Sequence, residues 1–191
     1  MHDPFPLPPP PLLVSLTRPL SNTLGLTTLP LHIHEVIFAA LLYTLIGSFL
    51  APYLSHRLLP TYYPHFPRRT KLNWDVHVVS LFQALLVNSL ALYVMWTDEE
   101  RGSMGWEERV WGYTGAGGMV QAFAAGYFLW DLGVCVRNIR MFGVGLLAHA
   151  VAALVVFSFG FVSGAPFPLS SFPARMGFKS VRGLKRMRGL I

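Results

Sequence analysis

The sequence predicts an all-α, multi-pass membrane protein with about four transmembrane spans. Of its 191 residues, 53% are hydrophobic and only 13% are charged, whereas soluble domains carry about 25% charged residues. Four apolar runs each have about the 20 residues that a helix needs to cross the hydrocarbon core of a bilayer. Backbone groups in lipid must pair internally, so such runs are expected to be helical. Four of them in so short a chain disfavour a large soluble core.

The first 30 residues are rich in proline and begin MHDPFPLPPPPLLVSL. They lack the basic start of a signal peptide, and the proline run opposes a helical hydrophobic segment. We therefore expect residues 1–30 to form an extended, largely disordered arm.

The spans are expected over residues 36–54, 74–96, 113–136 and 142–161. Trp74 and Trp96 bracket the second span, about 33 Å apart along a helix. Aromatic residues at both ends of a span are typical of the two membrane interfaces.

Charge indicates an orientation for the spans. The loops after the first and third spans hold six Lys and Arg, whereas the arm and the loop after the second span hold three. The positive-inside rule would make the first and third loops cytosolic. Residues 162–191 conflict with this count, because six of the fifteen basic residues lie in the last seventeen positions. We interpret this tail as suited to an anionic membrane surface, and we expect no nucleic-acid partner.

A polar face on the second span is the first candidate site. His77, Ser80 and Asn88 share this face at helical spacing. Such faces normally point into a helical bundle, where they either bond to other helices or line a lipid-headgroup site.

Two ionisable residues, Asp131 and His149, lie inside the third and fourth spans. If these spans form a hairpin, the two side chains enter the membrane from one side at similar depth and can form a pair. The alternative is a histidine bonded to a neighbouring carbonyl or hydroxyl group. Spacing also aligns His149 with Gly145 and Ala153, which predicts a close helix contact there.

Small residues repeat in the third span at Gly118, Ala122 and Gly126. A stripe of this kind lets another helix approach closely. It predicts packing and not a particular function.

The first span is preceded by His32, His34 and Glu35. Rings two positions apart on a helix point to different faces, so we expect no metal site but a solvated, interfacial role. The single cysteine, Cys135, is expected to be a packed apolar residue. Soluble-enzyme motifs are absent from the sequence, and we expect no cofactor.

Three segments taken together resemble the TLC (TRAM–LAG–CLN) domain: NWDVHVVSLFQALLVNSLALYVMW, DEERGSMGWEERVWGYTGAGGMVQAFAAGYFLWDL and FGVGLLAHAVAALVVFSFGF. The resemblance covers residues 31–161 and is closest to fungal members without assigned ceramide synthase activity. Residues 162–191 do not follow the family pattern, so we expect an incomplete domain with a non-family tail.

The resemblance implies a protein of the endoplasmic reticulum that acts in membrane lipid homeostasis. Ceramide synthases of this family carry two adjacent histidines, but here Ala150 follows His149. We therefore expect lipid binding or sensing, with contacts from five residues: His77, Ser80, Asn88, Asp131 and His149.

Two alternatives remain open. One is an N-acyltransferase that uses His149 and Asp131 on an acyl-CoA and a sphingoid base, and the other is an inactive truncated fragment. Membrane lipids are the expected partners, and a homo-oligomer is left open.

Overall fold

A computed structural model describes residues 3–162, apart from the side chains at positions 107, 110 and 111. All regular secondary structure in this range is helical. The basic tail expected over residues 162–191 lies outside the described residues from position 163 onward.

The first long segment runs without a break from Leu29 to Leu58. It consists of helix α2 (Leu29–Leu45), a π-helical turn (Ile46–Leu50) and helix α3 (Ala51–Leu58). The segment begins seven residues before the predicted span and therefore includes His32, His34 and Glu35. At about 1.5 Å per residue it is about 45 Å long, which exceeds the roughly 30 Å hydrocarbon core.

A 3-10 turn (Tyr63–His65) leads into the second long helix, α4 (Arg68–Thr97). Two short helices, α5 (Glu99–Ser103) and α6 (Trp106–Trp111), form the next connection.

The third long helix is α7 (Gly115–Arg137), and the fourth is α8 (Ile139–Ser158), which ends in a 3-10 turn (Phe159–Phe161). The segments Leu29–Leu58, Arg68–Thr97, Gly115–Arg137 and Ile139–Phe161 are each long and apolar enough to cross a membrane. The predicted all-α, four-span architecture is confirmed.

Residues near the start of the chain differ from the prediction, because the expected disordered arm contains helix α1 (Pro11–Leu24). Pro11 occupies the first turn, where a missing backbone N–H costs nothing, and Gly25 ends the helix with a φ of 71°. The proline run therefore stops where the helix begins. Four leucines spaced four apart stay exposed on one side of α1, at Leu12, Leu16, Leu20 and Leu24. Such a stripe suits contact with lipid at the membrane interface.

Helix α7 is the centre of the bundle and packs against α2, α4 and α8. One core cluster joins it to the first segment and to α4, and consists of Ala39, Tyr43, Ile46, Val79, Met119, Phe123 and Trp130. A second cluster lies nearer the start of α2 and consists of Leu26, Val36, Ala122, Ala125 and Phe161.

The small-residue stripe on α7 lies against α2, which confirms the predicted close approach. A Cβ atom added to Gly126 would lie 2.6 Å from Ala39 Cβ, and one added to Gly118 would lie 2.2 Å from His32 Nε2. At Gly126 the close backbone of α2 leaves no room for a side chain, and at Gly118 the His32 ring occupies that space.

The spans alternate in direction, so successive loops lie at opposite ends of the bundle. The start of the first span and the end of the fourth lie at the same end, where the Thr28 amide and hydroxyl donate to the Phe161 carbonyl, at 3.1 and 2.8 Å. The loop after the second span brings Asp98, Glu99, Glu100 and Glu108 to this end, which we call the acidic end. The opposite, basic end carries Arg57, Arg68, Arg69, Lys71, Arg137 and Arg140.

Candidate functional site: a groove at the basic end

A cavity of about 430 Å³ opens near the basic end, between the first segment, α4 and the end of α7. Its apolar walls come from all three elements and include Leu41, Leu72, Val76, Leu129 and Trp130. Its polar lining consists of Thr44, Ser48, Asp75, Arg137 and Asn138. We call this cavity the basic-end groove.

The π-helical turn shapes one wall of the groove. Gly47 lies in this turn, and a Cβ atom added to it would stand 3.1 Å from Trp130 Cζ2 and 3.3 Å from Val79 Cγ2. The indole of Trp130 therefore packs directly on the backbone of the first segment. Single π-helical turns inside α-helices are frequent at functional sites.

Asp75 brings a carboxylate to the groove and is buried. The hydroxyl of Tyr63 lies 2.9 Å from each of its carboxylate oxygens. The neighbouring Trp74 donates its indole N–H to Ser55 Oγ at 2.9 Å, which fastens α4 to α3. Both contacts fix the first turns of α4, so the carboxylate has a defined position.

Arg137 and Asn138 close the same end of the groove. The Asn138 side chain donates to the Val134 carbonyl at 2.9 Å. Arg137 is exposed, and within residues 3–162 its side chain makes no hydrogen bond or ion pair. Its guanidinium group is therefore free to bind an anion. The planar arrangement of its N–H donors is well matched to the oxygens of a phosphate group.

The groove thus combines an apolar wall with groups of both charges near one membrane surface. A polar lipid has the same arrangement, with acyl chains below and a charged headgroup above.

The predicted polar face of α4 is divided in the structure. Ser80 bonds to the Tyr127 hydroxyl of α7 at 2.7 Å, as expected for a group facing the bundle. His77 and Asn88 are instead exposed and bond to their own helix, at the carbonyls of Asn73 and Ala84. None of the three lines the basic-end groove, to which α4 contributes Asp75 as its polar residue.

Asp131 and His149 lie near each other but do not form an ion pair. Asp131 is half-buried on α7, and His149 is close enough to interact with it electrostatically. Among the described residues no bond within 4 Å joins them. Neither residue lines the basic-end groove.

The expected helix contact at His149 is wrong. His149 is exposed, and a Cβ atom added to Gly145 would meet nothing within 4 Å. Ala150 is the fully buried residue of α8 instead. Gly143, with a φ of 81° and a ψ of 170°, interrupts the helix just before this region. A straight-helix extrapolation from Arg140 therefore misplaces the faces that follow.

The solvated role expected for His32, His34 and Glu35 is also wrong. Their exposed fractions are 1%, 8% and 0%. His34 Nε2 bonds to the Leu7 carbonyl at 2.9 Å, and Phe5 packs edge-on against the His34 ring. Residues 3–9 thus cover this part of α2, which the expected disorder of the arm concealed.

Sequence reasoning missed Asp75, Tyr63 and Arg137 as site residues. Asp75 was detectable as the one acidic residue inside the second apolar run. Its partner Tyr63 lies in an irregular loop, where no periodicity indicates which face it meets.

Four helices that are each long and apolar enough to cross a membrane indicate a multi-pass membrane protein. The model of the TLC domain family matches residues 73–171, and this chain belongs to that family. The match begins after the first span and extends ten residues past the expected boundary at 161.

Three curated proteins are similar to this chain. An uncharacterized TLC domain-containing protein from Schizosaccharomyces pombe is 36% identical over 149 residues, which are 78% of this chain and 49% of that protein. Topoisomerase I damage affected protein 4 from Saccharomyces cerevisiae is 32% identical over 126 residues, or 65% of this chain and 43% of that protein. TLC domain-containing protein 4 C from Dictyostelium discoideum is 24% identical over 127 residues, or 65% and 45%.

The chain spans about half the length of these relatives. No solved structure matches it.

Proposed function

We propose that this protein binds a polar membrane lipid in the basic-end groove and thereby acts in membrane lipid homeostasis, in the endoplasmic reticulum. The observation that carries the proposal is the 430 Å³ cavity, with apolar walls and both Arg137 and Asp75 at its polar end. A headgroup with a phosphate and a primary amine fits this pair best. The phosphate would contact Arg137, and the amine would contact Asp75.

The charge pattern supports the cytosolic leaflet as the source of the lipid. The groove opens at the end that holds Arg57, Arg68, Arg69, Lys71, Arg137 and Arg140. Counted over the loops and the arm, without residues 162–191, the Lys and Arg residues orient this end toward the cytosol by the positive-inside rule. A lipid entering from that leaflet would meet Arg137 at headgroup depth.

Acyl transfer lacks comparable support. His149 stands outside the groove, with no bond to Asp131 among the described residues. Acyl transfer and the inactive fragment stay alternatives drawn from the sequence alone.

The proposal is tested by native mass spectrometry of the full chain in nanodiscs with equal amounts of amine-bearing, choline-bearing and anionic phospholipids. We expect one retained amine-bearing lipid. Arg137→Gln should weaken retention of this lipid about tenfold, because it removes a charge-assisted hydrogen bond to the phosphate. Arg140→Gln is the matched control, because it removes the same charge at the same end but outside the groove lining.

Asp75→Asn separates the two halves of the headgroup. It should reduce retention of the amine-bearing lipid more than that of the choline-bearing lipid, because a quaternary ammonium group cannot donate to a carboxylate. Equal retention by Arg137→Gln, Arg140→Gln and the unchanged protein would overturn the proposal.

A further inference from the structure

A second set of polar side chains lies buried at the acidic end of the bundle. His32 and Glu35 are on α2, and Asp3 approaches from the first residues of the chain. His32 Nδ1 is 3.0 Å from Glu35 Oε2 and 3.4 Å from Asp3 Oδ2. One nitrogen or oxygen of each of the three residues lies within 4.8 Å of the others.

The charge of this set is not balanced by a lysine or an arginine. Within residues 3–162, the ion-pair partners of Asp3 and Glu35 are histidines alone. Glu35 is fully buried and Asp3 is largely covered. A buried carboxylate such as Glu35 costs several kcal/mol unless its charge is compensated, and Asp3, with 30% of its side chain exposed, adds a second negative charge beside it. A proton, a protonated histidine or a bound cation can supply the compensation.

Glu35 also has an atom without a hydrogen bond. Its Oε1 is buried and accepts no hydrogen bond within the described residues, and His34 Nε2 lies 3.7 Å from it. Buried carboxylate oxygens normally have a partner. An ion held by both oxygens of the Glu35 carboxylate would supply one.

The ring of His32 is held from its other side. Its Nε2 lies 2.7 Å from the Tyr113 hydroxyl. With Nε2–H donating to that oxygen, the lone pair of Nδ1 points toward the two carboxylates. A metal-bound histidine is commonly oriented by a second hydrogen bond of this kind.

The geometry points to a binding site for one first-row divalent cation, such as Zn²⁺, held by His32 Nδ1 and by carboxylate oxygens of Glu35 and Asp3. One imidazole and two carboxylates form a donor set suited to these ions. Three protein ligands leave a coordination position open. Asp3 and His32 also line a cavity of about 650 Å³, together with residues that include Glu100 and Tyr113.

His32 and His34 do not bind one ion together, because rings two positions apart on a helix diverge. The set found here instead uses Glu35, three positions after His32 and on the same face. Its third member lies 29 positions away in the sequence, and only the packing of residues 3–9 on α2 brings it near. A bound ion would fasten that segment to the bundle.

Metal content tests this site, with the full chain purified in detergent through a histidine-free C-terminal tag. The protein is stripped of metal with a chelator, loaded with Zn²⁺ and dialysed. Bound zinc is then measured by inductively coupled plasma mass spectrometry, and Tm is measured by thermal unfolding. We expect close to one ion per chain and a Zn²⁺-dependent rise in Tm. Co²⁺ in place of Zn²⁺ should give a visible absorption band of a low-coordinate site.

Asp3→Asn and Glu35→Gln should each weaken Zn²⁺ binding at least tenfold. Glu100→Gln, which changes a carboxylate on the same cavity outside the ligand set, should leave binding unchanged. Asp3→Asn decides the test if Glu35→Gln does not fold. Folded protein that holds no ion, or an Asp3→Asn variant that retains it equally (an adventitious ion only), would overturn the site.

Discussion

The Tyr63 hydroxyl lies 2.9 Å from both carboxylate oxygens of Asp75 and joins the turn before α4 to the polar end of the basic-end groove. Both side chains are less than one-tenth exposed. Lys71 Nζ lies 5.0 Å from the centre of the Tyr63 ring and covers it from the solvent side. The groove therefore owes the position of its one carboxylate to a residue of the preceding turn.

Tyr63→Phe should destabilise the protein by roughly 1.5–3 kcal/mol, because Asp75 would lose its donor while staying buried. The lipid selectivity that depends on Asp75 should weaken with it. Thermal unfolding in detergent measures the first effect. Tyr62→Phe is the control, since Tyr62 is exposed and its loss should change Tm little. Equal shifts for the two variants would contradict a specific role of the Tyr63–Asp75 contact.

Alkaline pH should affect the same contact. Burial, and then the hydrogen bond and charge of Asp75, raise the pKa of Tyr63 above its ordinary value. A raised pKa gives stability that is complete below about pH 10, where unfolded tyrosine titrates, and is lost as pH rises through the folded pKa. Between pH 8 and pH 11 the unchanged protein should therefore lose more Tm than Tyr63→Phe. Parallel losses would show that Tyr63 has no shifted pKa.

Gly126→Ala should destabilise the bundle by about 1–3 kcal/mol, the usual cost of overpacking. The added methyl group would lie 2.6 Å from Ala39 Cβ and 2.7 Å from the Val36 carbonyl oxygen. Gly145→Ala is the matched substitution, because its methyl group meets nothing within 4 Å. It should be neutral or stabilising by up to about 1 kcal/mol, as alanine favours helix. A comparison of chemical unfolding midpoints checks the difference, and a tolerated Gly126→Ala would rule out close packing of α2 on α7.

Asp98 caps the start of α5, where its side chain accepts from the Arg101 amide at 3.4 Å. Burial raises the pKa of the Asp98 carboxyl. Hydrogen bonds from the Thr114 hydroxyl and the Arg101 amide are among the interactions that lower it, and the resulting pKa is below the ordinary value. The resulting stability is present above about pH 4 and is lost as pH falls through the lowered pKa. Asp98→Ala should cost about 0.5–2 kcal/mol at pH 7, whereas Asp98→Asn keeps the cap. The gap between Asp98→Ala and the unchanged protein should narrow at pH 3, and a constant gap would contradict this account.

The helical period in the sequence identifies elements and faces well. It predicts the four spans and the close-packing stripe of Gly118, Ala122 and Gly126, all of which the structure contains. It does not identify which helix meets a given face. The stripe meets α2, and the polar face of α4 turns Ser80 inward but leaves His77 and Asn88 outside.

Contacts between distant parts of the chain set the two polar sites, and no local pattern predicts them. Asp75 meets Tyr63 through a turn, and His32 meets Asp3 because residues 3–9 fold back along α2. The kink at Gly143 likewise changes which face of α8 meets the bundle, and the helical period does not predict it. A single residue with a positive φ redirects the helix, so depths counted along a straight axis no longer hold.

We propose that the basic-end groove holds one selected polar lipid, whereas the exposed faces of the bundle contact the bulk bilayer. Site-specific photo-crosslinking tests it most directly, with a diazirine side chain at Leu129 in the groove and, as control, at Leu85 on the exposed side of α4. Mass spectrometry of the crosslinked products in membranes should find one amine-bearing phospholipid enriched at Leu129 and the bulk lipid mixture at Leu85. The same lipid mixture at both positions would contradict a selective lipid site.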